Sequence, residues 1–273
     1  MKRIRDTAKV RAFRERYGPA AIVTGAAQGI GRAFAESLAA RGLSVFMLDV
    51  QADAVDKAAS EIASAYGIRT LPIVVDLARR DFLAPVLEIL EGVRREGGEH
   101  EVGLVICNAA IGLEGPFLSE SIENLHRAVD VNCQAALTLT HHFGQRLVDR
   151  GRGGLLLIAS GTALQGSPGY ANYAATKAFN LVLGESLWYE LKDHGVDVLS
   201  FVPGPTNTPG LRRSVSGLEE GVEVGPIRLP SVTAEIAIEA LGKRASAARQ
   251  KSHANRLGAR RRAAEKLVER GSR

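Results

Sequence analysis

Tyr173, with Lys177 four residues after it and Ser160 thirteen residues before it, is a set of groups able to move a proton. Positions i and i+4 share one face of a helix, so an ammonium at Lys177 can be held near the Tyr173 phenol. A positive charge there favours phenolate and lowers a pKa that starts near ~10, bringing the phenol toward the range of a general acid or base. Ser160 closes the apolar run Gly154-Leu155-Leu156-Leu157-Ile158-Ala159, where its hydroxyl could hold a substrate oxygen against the phenol. Of the five tyrosines only Tyr173 has a lysine at +4. Taken alone, the pair reads equally as an exposed Tyr/Lys couple on a helix.

Such a group needs a strand that ends at Ser160 and a helix that carries Tyr173 and Lys177. Short apolar runs bounded by turn residues alternate with longer segments of helical period along the chain. Strands are predicted at 20–24, 44–48, 71–75, 102–107, 154–159 and 196–202, and helices at 29–41, 51–65, 80–96, 121–149 and 172–193. The alternation predicts an α/β fold: a single domain with a doubly wound parallel sheet, helices on both faces and ligands at the carboxyl ends of the strands. Pro203-Gly204-Pro205 opens a Gly-rich loop to Pro230, either a mobile substrate lid or a surface connection.

The 273 residues are 45% hydrophobic and 24% charged, a globular composition. No apolar run reaches the ~20 residues that span a bilayer, and Met1-Lys2-Arg3-Ile4-Arg5-Asp6 lacks the apolar stretch of a secretory signal, so a cytoplasmic location is expected. Cys107 and Cys133 have no metal-ligand spacing and read as buried structural thiols; no metal is expected. Of the net charge of +5, residues 1–18 contribute +5 and residues 241–273 contribute +9, which leaves −9 on the middle. An acidic body with basic ends argues against a nucleic-acid reader. The ends, including Arg260-Arg261-Arg262, are candidates for peripheral contact with an anionic membrane or an acidic partner, or for a solvated tail helix.

Thr24-Gly25-Ala26-Ala27-Gln28-Gly29-Ile30-Gly31 follows the first strand and opens the first helix of the alternating pattern. Gly25, Gly29 and Gly31 there permit a tight turn, close approach of a pyrophosphate, and packing of helix on strand. Simple turn chemistry is the alternative. Asp49 ends the run Val45-Phe46-Met47-Leu48-Asp49, where a carboxylate can accept from the ribose hydroxyls of NAD and repel the 2′-phosphate of NADP. The expected cofactor is therefore NAD rather than NADP. A turn or N-cap role for Asp49 stays open.

From about residue 18 to 242 the chain resembles the short-chain dehydrogenase/reductase family. The motifs that carry the resemblance are Thr24 to Gly31, Asp76, Cys107-Asn108-Ala109-Ala110, Asn132, Ser160, Tyr173 with Lys177, and Pro203-Gly204 with Thr208. The resemblance implies a Rossmann fold and a tetrad. In that tetrad Tyr173 is the acid/base, Lys177 lowers its pKa and binds the nicotinamide ribose, Ser160 orients the carbonyl or hydroxyl, and Asn132 holds a water linking Lys177 to solvent. It implies cofactor contacts from Gln28, Ile30, Asp49, Asp76, Leu77, Asn108, Thr206 and Thr208. The family's usual Asn-Asn-Ala-Gly run reads Cys107-Asn108-Ala109-Ala110 here, and Tyr170 lacks a partner lysine. Residues 1–18 then read as a basic helical extension, 19–242 as the catalytic domain, and 243–273 as a basic tail.

Phe13-Arg14-Glu15-Arg16-Tyr17-Gly18-Pro19 and Ala240-Leu241-Gly242 resemble the subgroup of hydroxysteroid dehydrogenases and long-chain ketoacyl reductases. That implies a bulky apolar alcohol or ketone, with which Leu211, Val215, Leu218 and Val222 are compatible. The expected function is NAD(H)-dependent interconversion of a secondary alcohol and a ketone. Alternatives are an NADP-dependent carbonyl or ketoacyl reductase and an NAD-binding sensor or scaffold without turnover. By resemblance, the long helices at 121–149 and 172–193 imply a homodimer or homotetramer.

Overall fold

The computed structural model describes residues 7–98, 101–216 and 226–248. Seven strands form one sheet: β1 (Ala20–Thr24), β2 (Ser44–Asp49), β3 (Thr70–Val74), β4 (Val102–Cys107), β5 (Gly153–Ile158), β6 (Val196–Val202) and β7 (Ser246–Ala248). They are parallel throughout, in the order β3-β2-β1-β4-β5-β6-β7. Parallel neighbours require crossovers, and helices supply them on both faces. These are α2 (Gly29–Ala39), α3 (Ala52–Tyr66), α4 (Leu83–Arg95), α5 (Ile122–Val129), α6 (Ala135–Arg150), α7 (Ala171–Leu191), α8 (Pro209–Ser216) and α9 (Pro230–Ala240). The strand order reverses between β1 and β4, which opens a crevice at their carboxyl ends.

Covering both faces explains why the central strands are unbroken apolar runs: β1, β2, β4 and β5 are buried along their whole length. Alternate residues enter opposite layers. Val23, Val45, Ile106 and Leu156 pack with Phe34, Leu38 and Ile238 on one side; Ile22, Phe46, Val105 and Leu155 pack with Val86, Leu90 and Phe143 on the other. One seven-stranded sheet with two continuous layers is the single-domain α/β architecture that the alternation predicts.

Several elements depart from the sequence-based boundaries. The helix predicted over 121–149 is broken by a π-helical turn at Asp130–Gln134 between α5 and α6. α8 lies in the stretch predicted as loop, and β7 falls within residues 243–273, set apart as a tail. An amino-terminal helix, α1 (Ala8–Tyr17), is capped by Thr7 and seated on β6: Asp197 accepts from Arg16 Nε (2.7 Å), Arg16 Nη2 (2.9 Å) and the Tyr17 hydroxyl (2.6 Å). Leu218, Val222, Arg260, Arg261 and Arg262 lie outside the described residues. Among the described residues no helix is long and apolar enough to cross a membrane.

Candidate active site

The glycine turn joins β1 to α2 in the crevice. Gly25 (φ 65°) and Gly29 (φ 59°) adopt backbone conformations that side chains resist, and a Cβ on Gly25 would lie 2.9 Å from the Ala109 Cα. A Cβ on Gly31 would overlap the Gly25 carbonyl oxygen, so Gly31 sets how closely α2 packs on the turn. Gln28 precedes α2 and its side chain makes no capping bond, which leaves the helix's first amides facing the crevice. Thr24 fastens the far wall: its Oγ1 accepts from Asn108 N (2.9 Å) and Ala109 N (3.0 Å).

This cleft has a volume near 310 Å³ and is lined by Gly25, Gln28, Gly29, Ile30, Asp49, Asp76, Leu77, Asn108 and Thr208, among others. All nine were expected from sequence to meet a dinucleotide. A cradle that a Cβ would fill, a helix amino terminus at one end and an apolar wall together fit that group. Several side chains have additional or different duties. Asp49 is 6% exposed; Oδ2 accepts from Ala27 N (3.0 Å) and Oδ1 from Gln51 N (3.1 Å), so the carboxylate closes two turns while it faces the cleft. Asn108 commits its amide nitrogen to Thr24 O (2.9 Å) and Gly25 O (3.3 Å). Thr206 does not line this cleft: it is buried, and its hydroxyl bonds Gly204 O (2.9 Å) and Thr233 Oγ1 (3.0 Å) on the side of α9. Arg127 of α5, absent from the sequence-based set, also lines the cleft and holds both Asp76 oxygens at 3.1 and 3.2 Å.

Beside the cleft stands the second group. The π-helical turn carries Asn132, 1% exposed, whose Oδ1 accepts from Ile111 N (2.7 Å) and whose Nδ2 donates to Ile111 O and Thr176 Oγ1 (both 2.9 Å). Its backbone carbonyl accepts from Asn180 Nδ2 (2.9 Å). Asn132 thus pins the strand-end loop to α7 through three side-chain hydrogen bonds to Ile111 and Thr176. Ser160 follows β5; its Oγ accepts from Thr162 N (3.3 Å) and Thr162 Oγ1 (3.0 Å), which leaves its own proton for a further acceptor. Lys177 lies one turn along α7 from Tyr173, 2% exposed, with Nζ 5.7 Å from the Tyr173 ring centre and donating to Ile158 O (2.9 Å).

The electrostatics differ in one respect from expectation. Burial pushes the Tyr173 phenol above its ordinary value, the Ser160 hydrogen bond opposes that, and the charge of Glu114 adds to it. Lys177 does not produce a net lowering here. Burial instead pulls the Lys177 ammonium down to about 8, against small opposing effects from Cys133 and Cys107. Both thiols are buried and unpaired, pushed up to about 11 and about 12 by burial, and remain protonated. A phenol raised by burial and a sealed ammonium one turn away thus share the amino-terminal part of α7.

Comparison with known proteins places these features in context. A sequence profile described as short chain dehydrogenase matches residues 19–218. The 7beta-hydroxysteroid dehydrogenase of Collinsella aerofaciens is 30% identical over 235 residues, covering 86% of this chain and 87% of that protein. A mouse protein named inactive hydroxysteroid dehydrogenase-like protein 1 is 30% identical over 192 residues, covering 69% of this chain and 56% of its own length. Among solved structures, a short-chain dehydrogenase from Sphingobium yanoikuyae in complex with NADPH superposes with a TM-score of 0.79 at 26% identity, covering 92% of this chain and 96% of that one. That neighbour's NADPH removes the ground for ranking NADP below NAD.

Proposed function

The chain belongs to the short chain dehydrogenase family, and from that premise we propose that it interconverts a secondary alcohol and a bulky apolar ketone with NAD(H) or NADP(H). The observation that carries the reading is Lys177 stacked one helical turn from Tyr173 on α7, with Nζ 5.7 Å from the phenol ring centre, in a fold that also carries the glycine-walled cleft. Gly25, Gln28, Gly29, Ile30, Asp49, Asp76, Leu77, Asn108 and Thr208 would hold the dinucleotide, with Gly31 setting the turn behind it. Bound there, the nicotinamide supplies or accepts the hydride.

Ser160 holds the carbonyl oxygen against Tyr173, and Tyr173 gives that oxygen its proton from the phenol. A phenol held above its ordinary value is neutral at pH 7, and that favours the role of acid in ketone reduction. In the reverse direction the same oxygen takes the alcohol's proton as a base. Lys177 brings a cation to that side of the cleft, and Asn132 fixes the Ile111 loop and α7 relative to each other.

Tyr173→Phe tests this reading. Turnover of a bulky ketone, followed by nicotinamide absorbance with NADH and NADPH in parallel, is expected to fall by ~10²–10⁴-fold, with dinucleotide affinity within a few-fold of wild type. Undiminished turnover in that variant refutes the assignment. The mouse relative's name supplies a second reading, a dinucleotide-binding module without turnover, which absence of any absorbance change across a ketone and alcohol series would select.

A further inference from the structure

We propose that an arginine-lined hollow at the amino ends of the strands binds a small polyanion, a molecule carrying two or more linked phosphates. It lies away from the dinucleotide cleft, which sits at the carboxyl ends, and is independent of the chemistry of Tyr173. Arg11 and Arg14 come to it from α1, Gly42 from the turn before β2, Arg150 from the end of α6 and Arg152 from the residue before β5. Together they line an open hollow of about 360 Å³, in which four arginines meet a single carboxylate, Glu15. Gly42 (φ 82°) makes room for one of them: a Cβ there would stand 3.3–3.4 Å from Nε, Cδ and Cζ of Arg14, so the glycine lets that side chain lie against the turn.

These cations are short of acid. Lys9 and Arg16 of α1 are paired with Glu239 (3.3 Å) and Asp197 (2.7 Å), whereas Arg14 and Arg152 have no ion pair among the described residues. The Arg150 side chain is 9% exposed; its Nε lies 3.1 Å from Glu101 Oε1 and its Nη2 donates to the Gly18 carbonyl. Its Nη1 is buried without a hydrogen-bond partner among the described residues. Burial pulls the Arg150 guanidinium below its ordinary value, opposed by the charge of Glu101 and deepened by that of Arg152. Guanidinium forks hold phosphate oxygens through paired, charge-assisted hydrogen bonds, and several forks around one space suit linked phosphates better than a lone carboxylate. Since Arg11 and Arg14 ride on α1 while Arg150 and Arg152 belong to the body, a polyanion held by all four ties α1 to the sheet.

Inorganic tripolyphosphate is the probe, with orthophosphate beside it and the full chain in every arm. Calorimetry is expected to show tripolyphosphate binding with a dissociation constant below about 1 mM, and about tenfold or more tighter than orthophosphate. Arg14→Gln combined with Arg152→Gln is expected to weaken it by about tenfold or more, whereas saturating NADH, which the cleft at the other ends of the strands would hold, leaves it within about twofold. Bound tripolyphosphate is expected to slow hydrogen exchange of the α1 amides by about fivefold or more in wild type, and not in the double variant. Binding that NADH displaces, or that the two substitutions leave unmoved, overturns the proposal, as does α1 exchange that the probe fails to slow. Sedimentation with phosphatidylserine vesicles separates a lipid source from a free one. Vesicle binding that needs Arg14 and Arg152, without binding of tripolyphosphate, makes this face a membrane contact and overturns the small-molecule site.

Discussion

Lys177 keeps an ammonium in the interior, donating to the Ile158 backbone carbonyl, and a group so placed destabilises the fold it serves. Its folded-state value lies near 8, below the ordinary 10.5, so the penalty is fully present below pH 8 and is relieved as pH rises from about 8 to about 10.5. Lys177→Met is therefore expected to be inactive yet more stable than wild type at pH 7 by about 1–2 kcal/mol, after allowance for the lost Ile158 hydrogen bond. Denaturant titrations at pH 7 and pH 10 check this: the gap should narrow at the higher pH, and a gap independent of pH contradicts the account. At this scale the sequence was partly legible. The i, i+4 spacing of Tyr173 and Lys177 announces itself because it is local. Arg127 could not be found that way, since it reaches its partner Asp76 across more than fifty residues of chain. Thr206 shows what spacing leaves out, since only packing decides that its hydroxyl turns toward Thr233.

The elements that place these residues follow from periodicity where they are long and buried. The central strands declare themselves by continuous apolar runs, whereas β7, three residues of Ser-Ala-Ala at a sheet edge, has no β-branched or aromatic residue to mark it. The π-helical turn at Asp130–Gln134 was equally hidden, because the apolar pattern of α5 and α6 reads as one helix. α1 is an element whose seat can be measured. Asp197→Ala leaves the buried Tyr17 hydroxyl without its acceptor and Arg16 without its paired carboxylate, and is expected to lower stability by about 2–3 kcal/mol. Dinucleotide affinity should stay unchanged, since the cleft lies at the opposite ends of the strands. Chemical denaturation beside fluorescence titration of NADH separates the two effects, and a loss confined to cofactor binding would contradict this seating.

At the scale of the whole molecule, apolar side chains stand exposed on the helices flanking the site: Leu137 (42%) on α6, and Phe179 (38%) and Val182 (46%) on α7. The family's habit of assembling through this helix pair makes a second copy the expected occupant of that face. Leu137→Glu combined with Val182→Glu is expected to yield a monomer by light scattering, and an unchanged mass would rule out this face as the contact. The seating of α1 also bears on how the chain comes into being. Its anchor, Asp197, is about 180 residues downstream of Arg16. At ~5–20 residues per second, synthesis leaves α1 without its anchor for on the order of 10–40 s. α1 is thus among the last elements to settle, a closing latch on a body whose other strands are already made.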